Sequence, residues 1–187
     1  RQPGSGFKPF LYSAALEQGF TPASVILDTP IILDGGVTEE NWRPENSGGE
    51  FGGPTRLREA LVRSRNLVSI RILQNIGVDA AIEHAAKFGF DPATLPRNLT
   101  LALGTQAVTP LQMATGFATF ANGGFKVEPY YISRIVDSGG NVLFEAEPAI
   151  ACPECEDPSV FMPPLAPMAA AATAPADGFD GATAFNA

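Results

Sequence analysis

Histidine occurs once and cysteine twice among the 187 residues. With His84 alone in a helix-like segment, a serine-histidine-aspartate triad has little support. Both cysteines fall in one C-P-E-C stretch, Cys152 and Cys155. Such a pair is half a zinc site or a redox motif. Zinc asks for four ligands, and His84 is the only histidine to offer. A redox pair belongs at the start of a helix after a strand, whereas Pro153 and Pro158 sit here among acids. The stretch reads as a surface loop, disulfide-closed if the chain is exported. No metal and no cofactor are expected. Basic residues are missing after Arg134: up to that point 12 Lys/Arg meet 12 Asp/Glu, and beyond it come 8 acidic residues alone. The net charge of −8 therefore belongs to the last third. Without a basic stripe, nucleic acid is excluded as an expected partner. No run approaches the ~18 consecutive apolar residues of a membrane span, and no charged-then-apolar signal opens the chain. The first residue is Arg1, not methionine, so an interior piece of a longer polypeptide is expected. Any anchor or export signal would then lie outside it.

What is present is enough hydrophobic sequence, 45%, for one core. Residues 1–147 read as one partial domain, of which 1–124 are helix-rich with short extended pieces. Residues 148–187 turn to proline, alanine and acids ("MPPLAPMAAAATAPADG") and read as a flexible linker or insertion. Phe7, Phe10, Leu11, Ala14 and Ala15 repeat at the spacing of one buried helical stripe, and Gly19 supplies a stop. Pro9 is tolerated only in a first turn, which places the helix start, and with it Ser5, near the chain's beginning. A second helical stretch covers "PTRLREALVRS", breaks at Ser64-Arg65-Asn66, and resumes through "LVSIRILQNIG". Thr109-Pro110 is a capped helix start, Met113, Phe117 and Phe120 share a face, and Asn122-Gly123-Gly124 ends that helix. Two β-rich runs around Asp137-Ser138-Gly139-Gly140-Asn141 predict a hairpin.

Ser5 and Lys8 are three apart, so a helical turn carries both on one face. A serine is a poor nucleophile without an adjacent base. Lysine can be that base if burial or the positive end of a helix lowers its pKa well below ~10.4. The same helix end offers the Ser5 N–H to a developing oxyanion. S-x-x-K alone is a weak pattern. Ser64-Arg65-Asn66 strengthens it by adding a second hydroxyl and an amide at a helix break, where side chains can project into a cleft. Other tempting residues read more plainly: Trp42 and Arg43 as a packed aromatic beside a solvated arginine, Glu39-Glu40 as a solvated turn, His84 as a helix-surface histidine.

S-x-x-K with S-D-N and K-T-G is the set shared by penicillin-binding proteins and class A β-lactamases. The middle motif reads S-R-N here. "RQPGSGFKPF", "NWRPEN", "GPTRLREALVRSRNLVSIR" and "FANGG" are longer and more specific, and through them the chain closely resembles the transpeptidase domain of class A (bifunctional) penicillin-binding proteins. The resemblance implies an α+β fold of the serine β-lactamase/DD-transpeptidase kind. Its antiparallel sheet is flanked by helices, and this chain supplies an incomplete, mostly helical portion plus a hairpin. It implies that Ser5 attacks a D-alanine carbonyl of a peptidoglycan stem peptide with Lys8 as base. Ser64 would relay a proton to the leaving amine, and Asn66 would hold the substrate amide. β-Lactams would acylate Ser5 and remain. The implied setting is the periplasmic face of the bacterial inner membrane, reached through an anchor outside this chain.

One departure is large: no K-T-G or K-S-G occurs, and Lys126 is followed by Val127-Glu128. The partners expected therefore include the missing N- and C-terminal parts of its own polypeptide, and these residues alone are expected to be inactive and poorly stable. Two other readings stay open at this point. One is a β-lactamase or DD-carboxypeptidase that uses water as acceptor. The other is a non-catalytic β-lactam sensor or cell-wall peptide-binding module.

Overall fold

The structure, a computed structural model, describes residues 1–33 and 42–150. The chain divides into two units, Arg1–Ala149 and Ile150–Ala187, and the elements below belong to the first. The C-P-E-C pair and Glu39-Glu40 lie outside the described residues.

A 3-10 turn, Gly4–Phe7, leads into α1, Lys8–Glu17. Pro9 sits in the first turn of α1, where its missing N–H has no helical role. The sequence placed Ser5 at a helix N-terminus, and it lies in the 3-10 turn that runs directly into α1, after Gly4 at φ +56. β1, Val25–Asp28, pairs antiparallel with β2, Gly53–Arg56, with Ile26 opposite Thr55 and Asp28 opposite Gly53. Alternation buries Ile26 and Asp28 and exposes Val25 and Leu27. The stretch from Pro54 to Arg56, expected to open a helix, is this second strand; α2 begins only at Leu57 and ends at Val62. The helix resumes as α3, Asn66–Ile76, which turns at Gly77 into α4, Val78–Lys87.

α3 is apolar nearly all round: Leu67, Val68, Ile70, Ile72 and Leu73 are fully buried. A helix of that kind belongs in the middle of a core, and α3 packs against α1, α4, β1 and a 3-10 segment, Leu99–Leu103. α5, Pro110–Ala121, starts with a capping box in which Thr109 Oγ1 accepts from Gln112 N and Gln112 Oε1 accepts from Thr109 N. Its Phe117 and Phe120 join Phe7, Phe10, Phe88 and Phe90 in an aromatic cluster centred on Phe10. β3, Arg134–Val136, and β4, Val142–Glu145, form the expected hairpin. The fold is thus a mixed helix and strand arrangement with small antiparallel sheets. No helix among the described residues is long and apolar enough to cross a membrane.

Candidate active site

Lys8 is 1% exposed, an unusual state for an ammonium group. Its neighbours in sequence Phe7, Phe10 and Leu11 are buried as well, and Pro9 sits in the first turn of the helix. Its Nζ donates to Ser64 O at 2.7 Å, to Ser64 Oγ at 3.0 Å and to Asn66 Oδ1 at 2.7 Å. All three protons of the ammonium therefore have acceptors. Burial pulls the Lys8 pKa down from 10.5 to about 8. The pairing joins residues 56 and 58 positions apart in sequence.

Ser64 reaches Lys8 because of how α2 ends. Ser64 N donates to Leu61 O and Arg65 N donates to Ala60 O, the two bonds of a Schellman motif. The residue at its turning point must take positive φ, and Ser64 does so at φ +53, the one non-glycine residue among those described that does. Glycine usually stands there. A serine in its place accepts backbone strain on the order of 1 kcal/mol and presents a hydroxyl to Lys8. Asn66 follows at the first position of α3; its Nδ2 donates one proton to Glu45 O at 2.8 Å, and among the described residues no acceptor meets the other.

Ser5 is exposed, one turn ahead of Lys8, and its backbone carbonyl accepts from Lys8 N. Among the described residues no hydrogen bond joins the Ser5 hydroxyl to Lys8. The structure thus brings Lys8, Ser64 and Asn66 to one point and leaves Ser5 on the open side of it. Behind Ser5, Gly4 N donates to Gly104 O at 3.0 Å. A Cβ on Gly104 would lie 2.1 Å from Gly4 O, so the two backbones touch only because residue 104 is glycine.

Sequence reasoning missed two supports. Asp28 and Asn46, both buried, are hydrogen-bonded to each other at 2.8 Å beneath the Ser64–Asn66 turn. Polar residues in a strand and a loop carry no period that marks them as buried. Tyr12, also buried, contacts Ser69 Oγ at 3.3 Å, and burial raises its phenol to about 12. His84 corrects an expectation: it is not a surface residue but is 9% exposed, set between Glu17 Oε2 (2.5 Å from Nδ1) and Ser13 Oγ (2.9 Å from Nε2). Lys87 also reaches Glu17, and these hydrogen bonds hold the Glu17 carboxyl below its ordinary range. Trp42 packs partly buried against the core, with Arg43 exposed, as the sequence suggested.

Comparison with known proteins bears on the same residues. Residues 1–158 match the family described as the penicillin binding protein transpeptidase domain. Penicillin-binding protein 1A of Pseudomonas aeruginosa is 54% identical over 148 residues, 79% of this chain and 18% of that protein. The protein of the same name from Escherichia coli is 45% identical over 161 residues, 86% of this chain and 19% of that one. The chain therefore spans about a fifth of the length of these relatives. The crystal structure of penicillin-binding protein 1A from Haemophilus influenzae superposes with a TM-score of 0.78 at 45% identity, over 84% of this chain and 23% of that one. Penicillin-binding protein A from Mycobacterium tuberculosis, solved as an imipenem acyl-enzyme complex, superposes with a TM-score of 0.70 at 27% identity, over 80% and 39% of the two chains.

Proposed function

The chain belongs to the penicillin-binding protein transpeptidase domain family, and from that premise we propose that the polypeptide carrying it is a serine DD-transpeptidase that cross-links peptidoglycan and is acylated by β-lactams at Ser5. The observation that carries this reading is the buried Lys8 ammonium bound to Ser64 and Asn66. That contact joins the S-x-x-K and S-x-N motifs at one point.

Ser5 Oγ attacks the carbonyl of the penultimate D-alanine of a stem peptide. A C–O bond forms and the C–N bond to the terminal D-alanine breaks. The hydroxyl proton passes to neutral Lys8 and, through Ser64 Oγ, to the leaving amine. Of the three acceptors on Lys8, two are carbonyl-type oxygens and can only accept. Ser64 Oγ alone can turn round and donate, so it is the one group able to follow Lys8 through a change of protonation. A first-turn N–H has no helical acceptor, which leaves that of Ser5 available to the oxyanion. The second Nδ2 proton of Asn66 holds the substrate amide. An amine of a second stem peptide then attacks the ester, releases Ser5 and forms the cross-link. The setting is the periplasmic face of the inner membrane, through an anchor elsewhere in the polypeptide.

Labelling with a fluorescent penicillin tests this reading. It needs the longest polypeptide that carries this sequence in its native frame, here termed the parent polypeptide, beside its Ser5→Ala variant. A lasting adduct that disappears in the variant supports the proposal. Rapid release of hydrolysed label would make the protein a β-lactamase instead, and no adduct on folded protein would remove penicillin binding altogether.

A further inference from the structure

We infer that Asp28 and Asn46 are positioning residues of the acylation site, acting through Arg65 and Asn66 to hold the Ser64–Asn66 turn down on Lys8. The inference rests on the function proposed above and extends it to two residues that touch neither substrate nor nucleophile.

Asp28, at the end of β1, is 0% exposed. Its Oδ1 accepts from Asn46 Nδ2 at 2.8 Å, its Oδ2 accepts from Gly52 N at 2.9 Å, and Arg65 Nε faces Oδ2 at 3.4 Å. Asn46 is 6% exposed. Its Nδ2 also donates to Glu50 O at 2.9 Å, while its Oδ1 accepts from Asn66 N at 2.8 Å and from Leu67 N at 3.4 Å. Those two amides open α3, where helical N–H groups lack partners, and Arg65 offers no capping side chain. Asn46 therefore caps α3 from a distant loop. Arg65 NH1 closes the same loop by donating to Glu50 O at 3.1 Å.

The contacts converge on residues 65–67, the far wall of the Lys8 pocket. A buried carboxylate and amide are expensive unless satisfied, and an apolar pair of equal volume often serves stability as well or better. What the polar pair adds is direction: it fixes where the Asn66 backbone starts, and so where Asn66 Oδ1 and Ser64 O meet Lys8 Nζ. Among the described residues, the titratable and charged groups around this turn are Lys8 and Tyr12 on α1, Asp28 on β1, Arg63 and Arg65 in the turn itself, and Glu45 and Glu50, whose backbone carbonyls accept from Asn66 Nδ2 and Arg65 NH1.

The test compares Asn46→Ala, the milder Asn46→Ser, Asp28→Asn and the exchange Asp28→Asn with Asn46→Asp in the parent polypeptide. For each, the penicillin acylation rate is measured against pH, with thermal unfolding alongside. The expected result for Asn46→Ala and Asp28→Asn is a rate per folded molecule lower by about 10- to 100-fold, the scale of a misplacement near 1 Å. For Asn46→Ala, which changes no charge, the pH midpoint should also move upward, because water admitted beneath the turn favours the Lys8 ammonium. The exchange restores a donor-acceptor pair between 28 and 46 and an acceptor for Asn66 N, but it sets a carboxylate oxygen against Glu50 O, and should recover part of the rate. If Asn46→Ala does not fold, Asn46→Ser carries the same readout. Lower melting with wild-type rate and midpoint would overturn the inference and leave the proposed function standing. An unlabelled wild type would instead remove the proposed function, and the inference with it.

Discussion

Ser64 occupies a backbone position that glycine would fill with less strain, so replacing it separates what the hydroxyl does from what the backbone needs. Consider Ser64→Gly and Ser64→Ala together. Both remove the acceptor that Lys8 Nζ meets at 3.0 Å, while the Ser64 carbonyl at 2.7 Å and Asn66 Oδ1 at 2.7 Å remain. Losing one hydrogen bond to a charged group is worth about 1.5–3 kcal/mol where nothing replaces it. Ser64 is only partly buried, so water can reach the vacated site and the loss falls to about 1 kcal/mol. Up to here the two variants are equal.

They part at φ +53. Alanine keeps the steric clash of a Cβ in the left-handed region, on the order of 1–2 kcal/mol. Glycine removes it but gives back about 0.5–1 kcal/mol in the unfolded chain. Ser64→Gly should therefore be more stable than Ser64→Ala by about 0.5–1 kcal/mol, and close to wild type. Both should acylate slowly, by about 100-fold or more, since the relay hydroxyl is gone from each. Chemical unfolding of the parent polypeptide reads the first comparison, and fluorescent-penicillin labelling under single-turnover conditions reads the second. Should Ser64→Ala prove the more stable of the two, the strain assigned to the end of α2 is wrong. Should either label at the wild-type rate, Ser64 takes no part in the proton path.

Acylation should rise with pH up to about 8 and then level, since burial sets the Lys8 midpoint there. At pH 7 about a tenth of the lysine is then neutral, against less than about one in a thousand for an unperturbed one; a midpoint near 10 would refute the burial argument. Folding should also become more favourable between about pH 8 and 10.5, because only the unfolded lysine still binds a proton in that window. Gly104→Ala forces a Cβ to 2.1 Å from Gly4 O at φ +66 and should destabilise by about 2–5 kcal/mol, with penicillin labelling falling because Gly4 precedes Ser5. Phe10→Ala empties the centre of the aromatic cluster, two residues past Lys8, and should cost about 3–5 kcal/mol by chemical unfolding.

Periodic and covalent signals made much of this fold legible in the sequence. The stripe from Phe7 to Ala15, the break at Ser64–Asn66, the Thr109-Pro110 start and the glycine-rich hairpin turn each state a local rule that the structure obeys. The S-x-x-K and S-x-N motifs were visible for the same reason, as short local patterns. Pro54–Arg56 was misread because "PTRLREALV" satisfies a helical pattern, while pairing with Val25–Leu27, a non-local event, takes its first residues into a strand. His84 was misread because its neighbours Glu17 and Ser13 lie on another helix, 67 and 71 residues away. Asp28 and Asn46 escaped altogether: nothing local distinguishes a buried aspartate from an exposed one until the partners from three other segments are known.

Those two kinds of residue divide the work of the site in a way that bears on how Lys8 can be a base at all. A buried ammonium with three good acceptors is well solvated by protein, and that hydrogen bonding favours the charged form. Burial opposes it, and the midpoint of about 8 is where the second effect has outrun the first. The balance depends on the acceptors being close but few and on Lys8 staying buried. Ser64 O and Asn66 Oδ1 can approach Lys8 so closely only if the turn between α2 and α3 is held rigidly from behind, and the groups behind it are Asp28, Asn46 and Arg65. A looser turn would admit water and return the lysine toward its ordinary value, a tenfold loss of neutral amine for each unit the pKa rises. The strained serine and the buried aspartate are thus parts of one device, in which backbone strain and polar burial keep a lysine dry enough to take a proton near neutral pH.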